Sequence, residues 1–251
     1  MALYSSAYFH YTPTLENLKS IIENGIFIHF VLEEIYTKGG GVNHIAIPMA
    51  CFCDTPLSYI KDIRFGCYGI GLSQMWGVEH GLQPVLYYPT NQDCPSTQMV
   101  IEAEQCLRND ISNIGAYKIL GYAKPMCGID KHVVENGEKK PLLNYADKEW
   151  RKLYQSKCQG KWKTKEEYEI YIKQNKERGK SRPHIGSPLK FSASDVEFII
   201  IHKRDEKAFR EYIMRGDFKH IGGKEKVGIN NEQREILLSK VVIYESLMGN
   251  M

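Results

Sequence analysis

The sequence predicts a single α+β domain that spans residues 1–251 and is built on a mixed β-sheet. Residues 8–30 follow a strand, helix, strand pattern. A short apolar run at 49–53 stops at Asp54-Thr55-Pro56, a pattern typical of a strand that ends in a turn. Apolar, β-branched runs at 197–202 and 241–244 predict two late strands. With 43% hydrophobic and 25% charged residues, the chain has the composition of an ordinary globular protein.

The opening of the chain predicts a strand at 8–12 that carries His10 near its end. Thr12-Pro13 has the form of a helix start, with Thr12 as the N-cap, and Asn24-Gly25 has the form of a helix end. A second strand follows at 26–30. Residues 31–47 include three successive glycines and are predicted to form a flexible connection.

The segment 65–73 combines three glycines with Cys67, Tyr68 and other apolar residues. Glycine permits a positive φ or the close approach of another group to the backbone. The segment therefore predicts a glycine-lined ledge on a short strand, with an aromatic side chain beside it.

Residues 149–151 form the second stretch that carries candidate chemistry. On a strand, Glu149 and Arg151 point to one face and Trp150 to the other. One interpretation is a solvated charged face over a buried tryptophan. The other is a carboxylate at a strand start that faces a cleft and is kept ionised by Arg151.

A basic helical insertion, or lid, is predicted at about 152–190. Residues 151–182 hold eleven basic and four acidic side chains, a balance of +7, whereas residues 1–100 have a balance of −4. This charge suits an anionic partner such as nucleic acid. The candidate contacts are Lys161, Lys163, Lys165, Lys180 and Arg182. A solvated face without a partner is the alternative, because four glutamates dilute the patch.

The cysteines indicate a cytoplasmic protein without a metal site. Seven cysteines at irregular spacings do not resemble a disulfide framework, so we expect a reducing compartment. The first residues lack the regions of a secretion signal, and no apolar run approaches the roughly 20 residues that span a membrane. Cys51, Cys53, Cys67 and His44 could hold zinc, but paired ligand cysteines are usually further apart. We expect these cysteines to be small buried apolar side chains.

Several motifs together resemble the AbiGi-type abortive phage infection proteins of bacteria, over most of the chain. These are Phe9-His10-Tyr11-Thr12, the run from Ile47 to Leu57 with its Cys-Phe-Cys-Asp-Thr-Pro-Leu core, Tyr68-Gly69-Ile70-Gly71-Leu72, Gly81-Leu82-Gln83-Pro84 and Asp147-Lys148-Glu149-Trp150-Arg151. The resemblance implies a role in phage defence, in which an infected cell stops growing. Such proteins are often labelled as the antitoxin of a two-gene system.

The opening also resembles, more distantly, ADP-ribosyltransferases of the DarT and RNA 2′-phosphotransferase type. That resemblance implies an ADP-ribosyltransferase-like sheet that holds NAD as a substrate. The residues that match the catalytic and cofactor-binding positions are His10, Tyr11, Thr12, Tyr68, Gly69, Gly71 and Glu149. In this scheme His10 contacts a ribose hydroxyl, Tyr68 faces nicotinamide and Glu149 fixes the ribose 2′-hydroxyl beside a cationic centre.

Two departures from the transferase pattern bear on this assignment. Tyr68 precedes the glycines instead of following them, so Tyr36 and Tyr59 are substitutes for the aromatic position. The position two residues before Glu149, where the transferase pattern has a second acidic residue or glutamine as partner, is Asp147; either this aspartate serves in that role or the enzyme is inactive. The sequence thus favours a phage-defence enzyme that uses NAD to modify nucleic acid or protein. The alternative is a non-enzymatic antitoxin-like protein that binds a cognate toxin or another partner.

Overall fold

The computed structural model describes residues 6–55, 57, 66–135, 138–154, 162–178, 183–215, 218–224 and 228–248. The strands are β1 (Ala7–Thr12), β2 (Ile26–Tyr36), β3 (Val42–Cys53), β4 (Tyr68–Ser73), β5 (Gln83–Pro84), β6 (Leu86–Tyr88), β7 (Ala123–Pro125), β8 (Cys127–Glu135), β9 (Glu138–Leu143), β10 (Glu149–Leu153), β11 (Lys163–Thr164), β12 (Ile185–Leu189), β13 (Val196–Ile201) and β14 (Val241–Ile243). The helices are α1 (Leu15–Asn24), α2 (Gln74–Glu79), α3 (Pro95–Asn109), α4 (Ile114–Tyr122), α5 (Lys165–Glu177), α6 (Glu206–Arg215), α7 (Asn231–Ser239) and α8 (Tyr244–Met248).

Contacts between residues divide the chain into two compact units. The first unit comprises Met1–Phe27, Cys51–Leu82 and Ser187–Met251, and the second comprises Ile28–Ala50 and Gln83–Gly186. The α+β class with a mixed sheet is confirmed, because antiparallel pairs and the parallel β13–β14 pair both occur. The single domain over 1–251 stays a prediction.

The first unit is built on β4. This strand pairs antiparallel with β1 on one side and with β13 on the other, and β14 then pairs parallel with β13. The end of β3 joins β1 through the Phe9–Cys53 register pair. One face of this sheet carries an apolar cluster that includes Phe9, Tyr11, Cys53 and Ile200.

Helix α1 begins two residues later than the sequence predicts. Thr14, not Thr12, is the N-cap, and its hydroxyl accepts a hydrogen bond from the Asn17 amide at 3.2 Å. Thr12 stays in β1 because it is paired with Tyr68 of β4. The predicted helix end at Gly25 is confirmed: Gly25 has φ +88°, and a Cβ there would lie 2.6 Å from the Leu189 carbonyl oxygen.

The second unit is built on the β2–β3 hairpin, whose register runs from His29–Met49 to Tyr36–Val42. The prediction of a flexible connection at 31–47 is therefore wrong. Gly39 and Gly40, both at φ +83°, form a tight turn that Thr37 closes by donating its amide to the Gly41 carbonyl at 2.9 Å. Positive φ at two turn residues lets the strands continue to the turn itself.

The other strands of the second unit pair with this hairpin or with one another. β11 pairs antiparallel with β3, and β10 pairs with β3 and β5. β8 and β9 form a separate antiparallel hairpin, and β6 pairs parallel with β7. Helix α5 lies within the predicted basic insertion and has no buried residue. Residues 155–161 and 179–182 of that insertion lie outside the described residues.

Candidate functional site

The register of β1 on β4 divides the predicted NAD-binding residues between two faces of the first unit's sheet. Tyr11 lies opposite Gly69, and Phe9 lies opposite Gly71. Thr12 lies opposite Tyr68, and His10 lies opposite Ile70. Because neighbouring residues of a strand point to opposite faces, His10, Thr12 and Tyr68 share one face. Tyr11, Gly69 and Gly71 belong to the other.

The space above the glycine ledge is filled by the protein's own aromatic rings. A Cβ on Gly71 would lie 2.8 Å from Phe9 Cε1 and 3.1 Å from Phe198 Cδ2, and a Cβ on Gly69 would lie 2.9 Å from Tyr11 Cδ1. Phe9 stacks on both Tyr11 and Phe198, with ring centroids 5.7 and 5.6 Å apart. The glycines are therefore required by aromatic packing.

His10 and Tyr68 have fixed orientations. His10 Nδ1 lies 2.9 Å from the Cys51 carbonyl oxygen, and its ring lies 5.5 Å from that of Phe52. The Tyr68 hydroxyl donates to Asp205 Oδ2 at 2.6 Å, and its ring meets His202 edge-on. Burial, and then this hydrogen bond, raise the pKa of Tyr68. The tyrosine is thus held by its hydroxyl and its ring together.

Glu149 and Arg151 lie on the buried face of β10, not on a solvated one. Arg151 is fully buried, Glu149 is 4% exposed and Trp150 is partly exposed. The interpretation of a solvated charged face over a buried tryptophan is wrong. The predicted alternation of side chains along β10 is confirmed. The charged side chains point into the protein, because oppositely charged side chains pair with them there.

These partners form a buried ion-pair network in the second unit. Arg151 donates from Nε to Glu149 Oε1 at 2.7 Å, from Nη2 to Glu33 Oε1 at 2.9 Å and from Nη1 to the Gly121 carbonyl at 2.8 Å. Lys124 Nζ donates to Glu149 Oε2 at 2.5 Å and lies 3.9 Å from Asp147 Oδ2. Each Glu149 carboxylate oxygen therefore accepts a hydrogen bond from a cation.

The network determines the charge states of its members. Burial by itself raises the pKa of Glu149, but Arg151 and Lys124 outweigh this effect and hold the pKa well below its ordinary value. Burial lowers the pKa of Lys124, but Glu33 and Glu149 raise it by more than burial lowers it. The pKa of Lys124 therefore lies above its ordinary range. The arrangement keeps both groups charged and holds them away from water.

The other predicted residues have separate positions. Tyr36 lies at the end of β2 and its amide donates to the Tyr88 hydroxyl at 3.2 Å, whereas Tyr59 lies outside the described residues. His10 and the ledge belong to the first unit and Glu149 to the second, so their common cleft stays a prediction. Within the first unit, His10, Thr12 and Tyr68 share one face, and Tyr11, Gly69 and Gly71 lie on the other, where aromatic rings fill the space above the glycines.

Of the basic candidates, Lys163 is engaged within the second unit. Its ammonium lies 5.3 Å from the ring centroids of both Phe30 and Tyr171. Helix α5, which begins with Lys165, contains three lysines and four glutamates, so this helix carries no net positive charge. Lys161, Lys180 and Arg182 lie outside the described residues.

Sequence reasoning missed Glu33 as a partner of Arg151 and Lys124 as a partner of Glu149. Both stood in segments without an assigned role, and Glu33 lay in the predicted flexible connection. The signal that could have found Glu33 is Ile35, whose apolar side chain shows that the strand continues past the two glutamates; Ile35 is fully buried. Among the described residues, no helix is long and apolar enough to cross a membrane.

The chain folds as an α+β protein, and the carboxylate of Glu149, the candidate catalytic group, is held in buried ion pairs. A family model described as "Putative abortive phage resistance protein AbiGi, antitoxin" matches residues 26–202, and the chain belongs to this family of abortive phage resistance proteins. The chain is similar to "Abortive phage resistance protein AbiGi" of Lactococcus lactis subsp. cremoris, with 26% identity over 232 residues that cover 80% of this chain and 87% of the relative. No solved structure matches the chain, so the likeness to ADP-ribosyltransferases stays a prediction.

Proposed function

We propose that this protein acts in phage defence as the non-enzymatic, antitoxin-like member of a toxin–antitoxin pair. The observation that carries the proposal is the state of Glu149. Its carboxylate is 4% exposed, and its two oxygens accept from Arg151 and Lys124. The family description, which names an antitoxin, supports the same role.

A catalytic carboxylate must reach its substrate within hydrogen-bond distance. To do so, Glu149 would have to leave Arg151, which is fully buried, and Lys124, which is nearly so. Separating a buried ion pair leaves an uncompensated charge and costs about 3–5 kcal/mol. The network is therefore suited to holding β10 in place and is poorly suited to a carboxylate that acts on NAD.

The proposal is tested by growth and by co-purification. The chain is expressed alone, and then together with a toxin, taken as the product of a neighbouring gene that arrests growth by itself, under a separate promoter. We expect no growth arrest from the chain alone, relief of the toxin's arrest on co-expression, and a complex of the two proteins that survives gel filtration. Growth arrest by the chain alone, with no relief of the toxin, would overturn the proposal.

An ADP-ribosyltransferase is the second candidate, and one observation favours it: the register brings His10, Thr12 and Tyr68 to one face of the sheet. Its test is transfer of label from NAD to cellular nucleic acid or protein, measured for wild type, Glu149→Gln and His10→Ala. Transfer by wild type that Glu149→Gln abolishes, with the variant still folded, would establish the enzyme. We expect no transfer by wild type.

A further inference from the structure

Three side chains of the second unit that can each bind a metal converge at one point. Glu34 of β2 and His44 of β3 are directly opposed in the hairpin register, and Asp130 of β8 completes the group. One ligand atom from each residue lies within 4.8 Å of the other two, and His44 Nε2 is 3.6 Å from Asp130 Oδ2. This group is called the Glu34–His44–Asp130 cluster below.

Hydrogen bonds hold the Glu34 carboxylate and the backbone of His44 in place. Glu34 Oε2 accepts the Ile129 amide at 2.9 Å, and Oε1 accepts the Asp130 amide at 3.3 Å. The His44 amide donates to Asn43 Oδ1 at 2.8 Å, and Asn43 Nδ2 in turn donates to Glu104 at 3.0 Å. Such supporting hydrogen bonds are a regular part of metal sites, because they fix the ligands before the ion arrives.

The charge of the cluster differs from that of the neighbouring ion-pair network. Glu33 is neutralised by Arg151, but within the described part of the chain no lysine or arginine forms an ion pair with Glu34 or Asp130. Glu34 is only 2% exposed, so its charge is costly unless it is compensated. The Asp130 side chain is 57% exposed, which leaves the cluster open to solvent on one side.

We propose that the Glu34–His44–Asp130 cluster binds a divalent first-row transition-metal ion of the Zn²⁺ type, with one imidazole and two carboxylates as protein ligands. In the tetrahedral geometry usual for such an ion, nitrogen and oxygen ligands lie about 2.0–2.2 Å from it, so two ligand atoms are roughly 3.3–3.6 Å apart. The 3.6 Å between His44 Nε2 and Asp130 Oδ2 meets this distance, and the Glu34 atom, within 4.8 Å of the other two, has to approach by at most about 1.5 Å. Water completes the coordination on the open side.

The ion would also join β8 to the β2–β3 hairpin. Glu34 already accepts two amides of β8, and a metal bound through Asp130 would hold the same strand a second time. Metal binding should therefore protect the amides of Ile129 and Asp130 from hydrogen exchange. This effect is independent of whether the protein binds a toxin or uses NAD, so the metal site and the proposed function succeed or fail separately.

The experiment is a Co²⁺ titration of the full chain after treatment with a chelator. Co²⁺ absorption distinguishes nitrogen and oxygen ligands from thiolates, which matters in a chain with seven cysteines. We expect one ion per chain, a spectrum without thiolate charge transfer, competition by Zn²⁺ and no binding of Mg²⁺ at the same concentration. His44→Gln and Asp130→Asn should each weaken binding at least about tenfold, since even supporting residues cost 10–100-fold.

His184→Ala is the matched control, because it removes an exposed imidazole of the same unit that is not in the cluster. It should leave Co²⁺ affinity within about twofold of wild type. Asp130→Asn changes a mostly exposed side chain, and circular dichroism verifies its fold. A thiolate spectrum, no binding of Co²⁺ or Zn²⁺, equal weakening by His184→Ala, or unchanged exchange at Ile129 and Asp130 would each overturn the proposal.

Discussion

Arg151 Nη2 donates to Glu33 Oε1 at 2.9 Å, although 118 residues separate the two along the chain. The same guanidinium binds Glu149 and a backbone carbonyl, so that a fully buried cation ties β2 and β10 to the segment that ends α4. The stability of the second unit should depend on this contact.

Arg151→Met should destabilise the protein by about 3–5 kcal/mol, because it leaves the carboxylates of Glu33 and Glu149 buried without this partner. The measurement is urea unfolding followed by circular dichroism. Arg215→Met is the matched control, since Arg215 is 69% exposed and its ion pair is with Glu211 one helical turn away. The control should change the stability by less than about 1 kcal/mol. Equal effects of the two substitutions would contradict a structural role for the network.

The network also predicts a pH dependence. The folded-state pKa of Glu149 lies below its unfolded value of 4.5, so the unfolded state binds more protons as the pH falls. The stability that this group contributes is present above about pH 4.5 and is lost progressively at lower pH. Glu149→Gln should flatten the decline of stability between pH 5 and about pH 3, measured by urea midpoints. The exposed Glu211→Gln, as control, should leave that decline as in wild type.

Gly71→Ala should destabilise the first unit, because the added methyl group would lie 2.8 Å from Phe9 and 3.1 Å from Phe198. Overpacking of this kind typically costs about 1–3 kcal/mol. Gly228→Ala is the control, since a Cβ at Gly228 meets nothing within 4 Å. Thermal unfolding of both variants gives the comparison. A neutral Gly71→Ala would mean that the space above the ledge is open, as a ligand site requires.

Lys163→Gln should reduce stability, because the Lys163 ammonium lies 5.3 Å from the ring centroids of both Phe30 and Tyr171. Cation–π contacts contribute about 0.5–1 kcal/mol at exposed sites and more when they are shielded from water. Lys165→Gln, at the exposed start of α5, should change stability by less than about 0.5 kcal/mol. Thermal unfolding measures both. A larger loss for Lys165→Gln than for Lys163→Gln would reject this assignment.

Nucleic-acid binding by the insertion is tested separately through its salt dependence. If Lys161, Lys163 and Lys165 contacted phosphates, their joint replacement by glutamine would reduce the salt slope by about 0.7 for each lost contact to a single strand. We expect the salt slope to fall by less than the loss of three phosphate contacts would give, because the Lys163 ammonium contacts two aromatic rings. Fluorescence anisotropy with a single-stranded oligonucleotide at several salt concentrations measures it. A decrease in the salt slope equal to three contacts would show that the Lys163 ammonium moves away from the two rings to bind phosphate.

The sequence by itself determined the local elements and the family. The opening strand, helix and strand, the strand that ends at Cys53, the glycine-bearing β4 and the late β13 and β14 follow from periodicity and turn residues near each position. The motifs also sufficed for the AbiGi resemblance, which the family match confirms. Each of these signals lies in residues close together in the sequence, so the sequence alone is enough to predict the element.

The tertiary structure alone decided which way the functional candidates face. Alternation along β10 shows that Glu149 and Arg151 share a face, but whether that face is wet depends on Glu33 and Lys124, which are distant in sequence. The glycines of β4 indicate a close approach, but not that Phe9 and Tyr11 are the groups that approach. Glu34, His44 and Asp130 likewise meet only when β2, β3 and β8 are assembled. Burial and ion pairing are properties of the folded neighbourhood, so a strand's own residues cannot determine them.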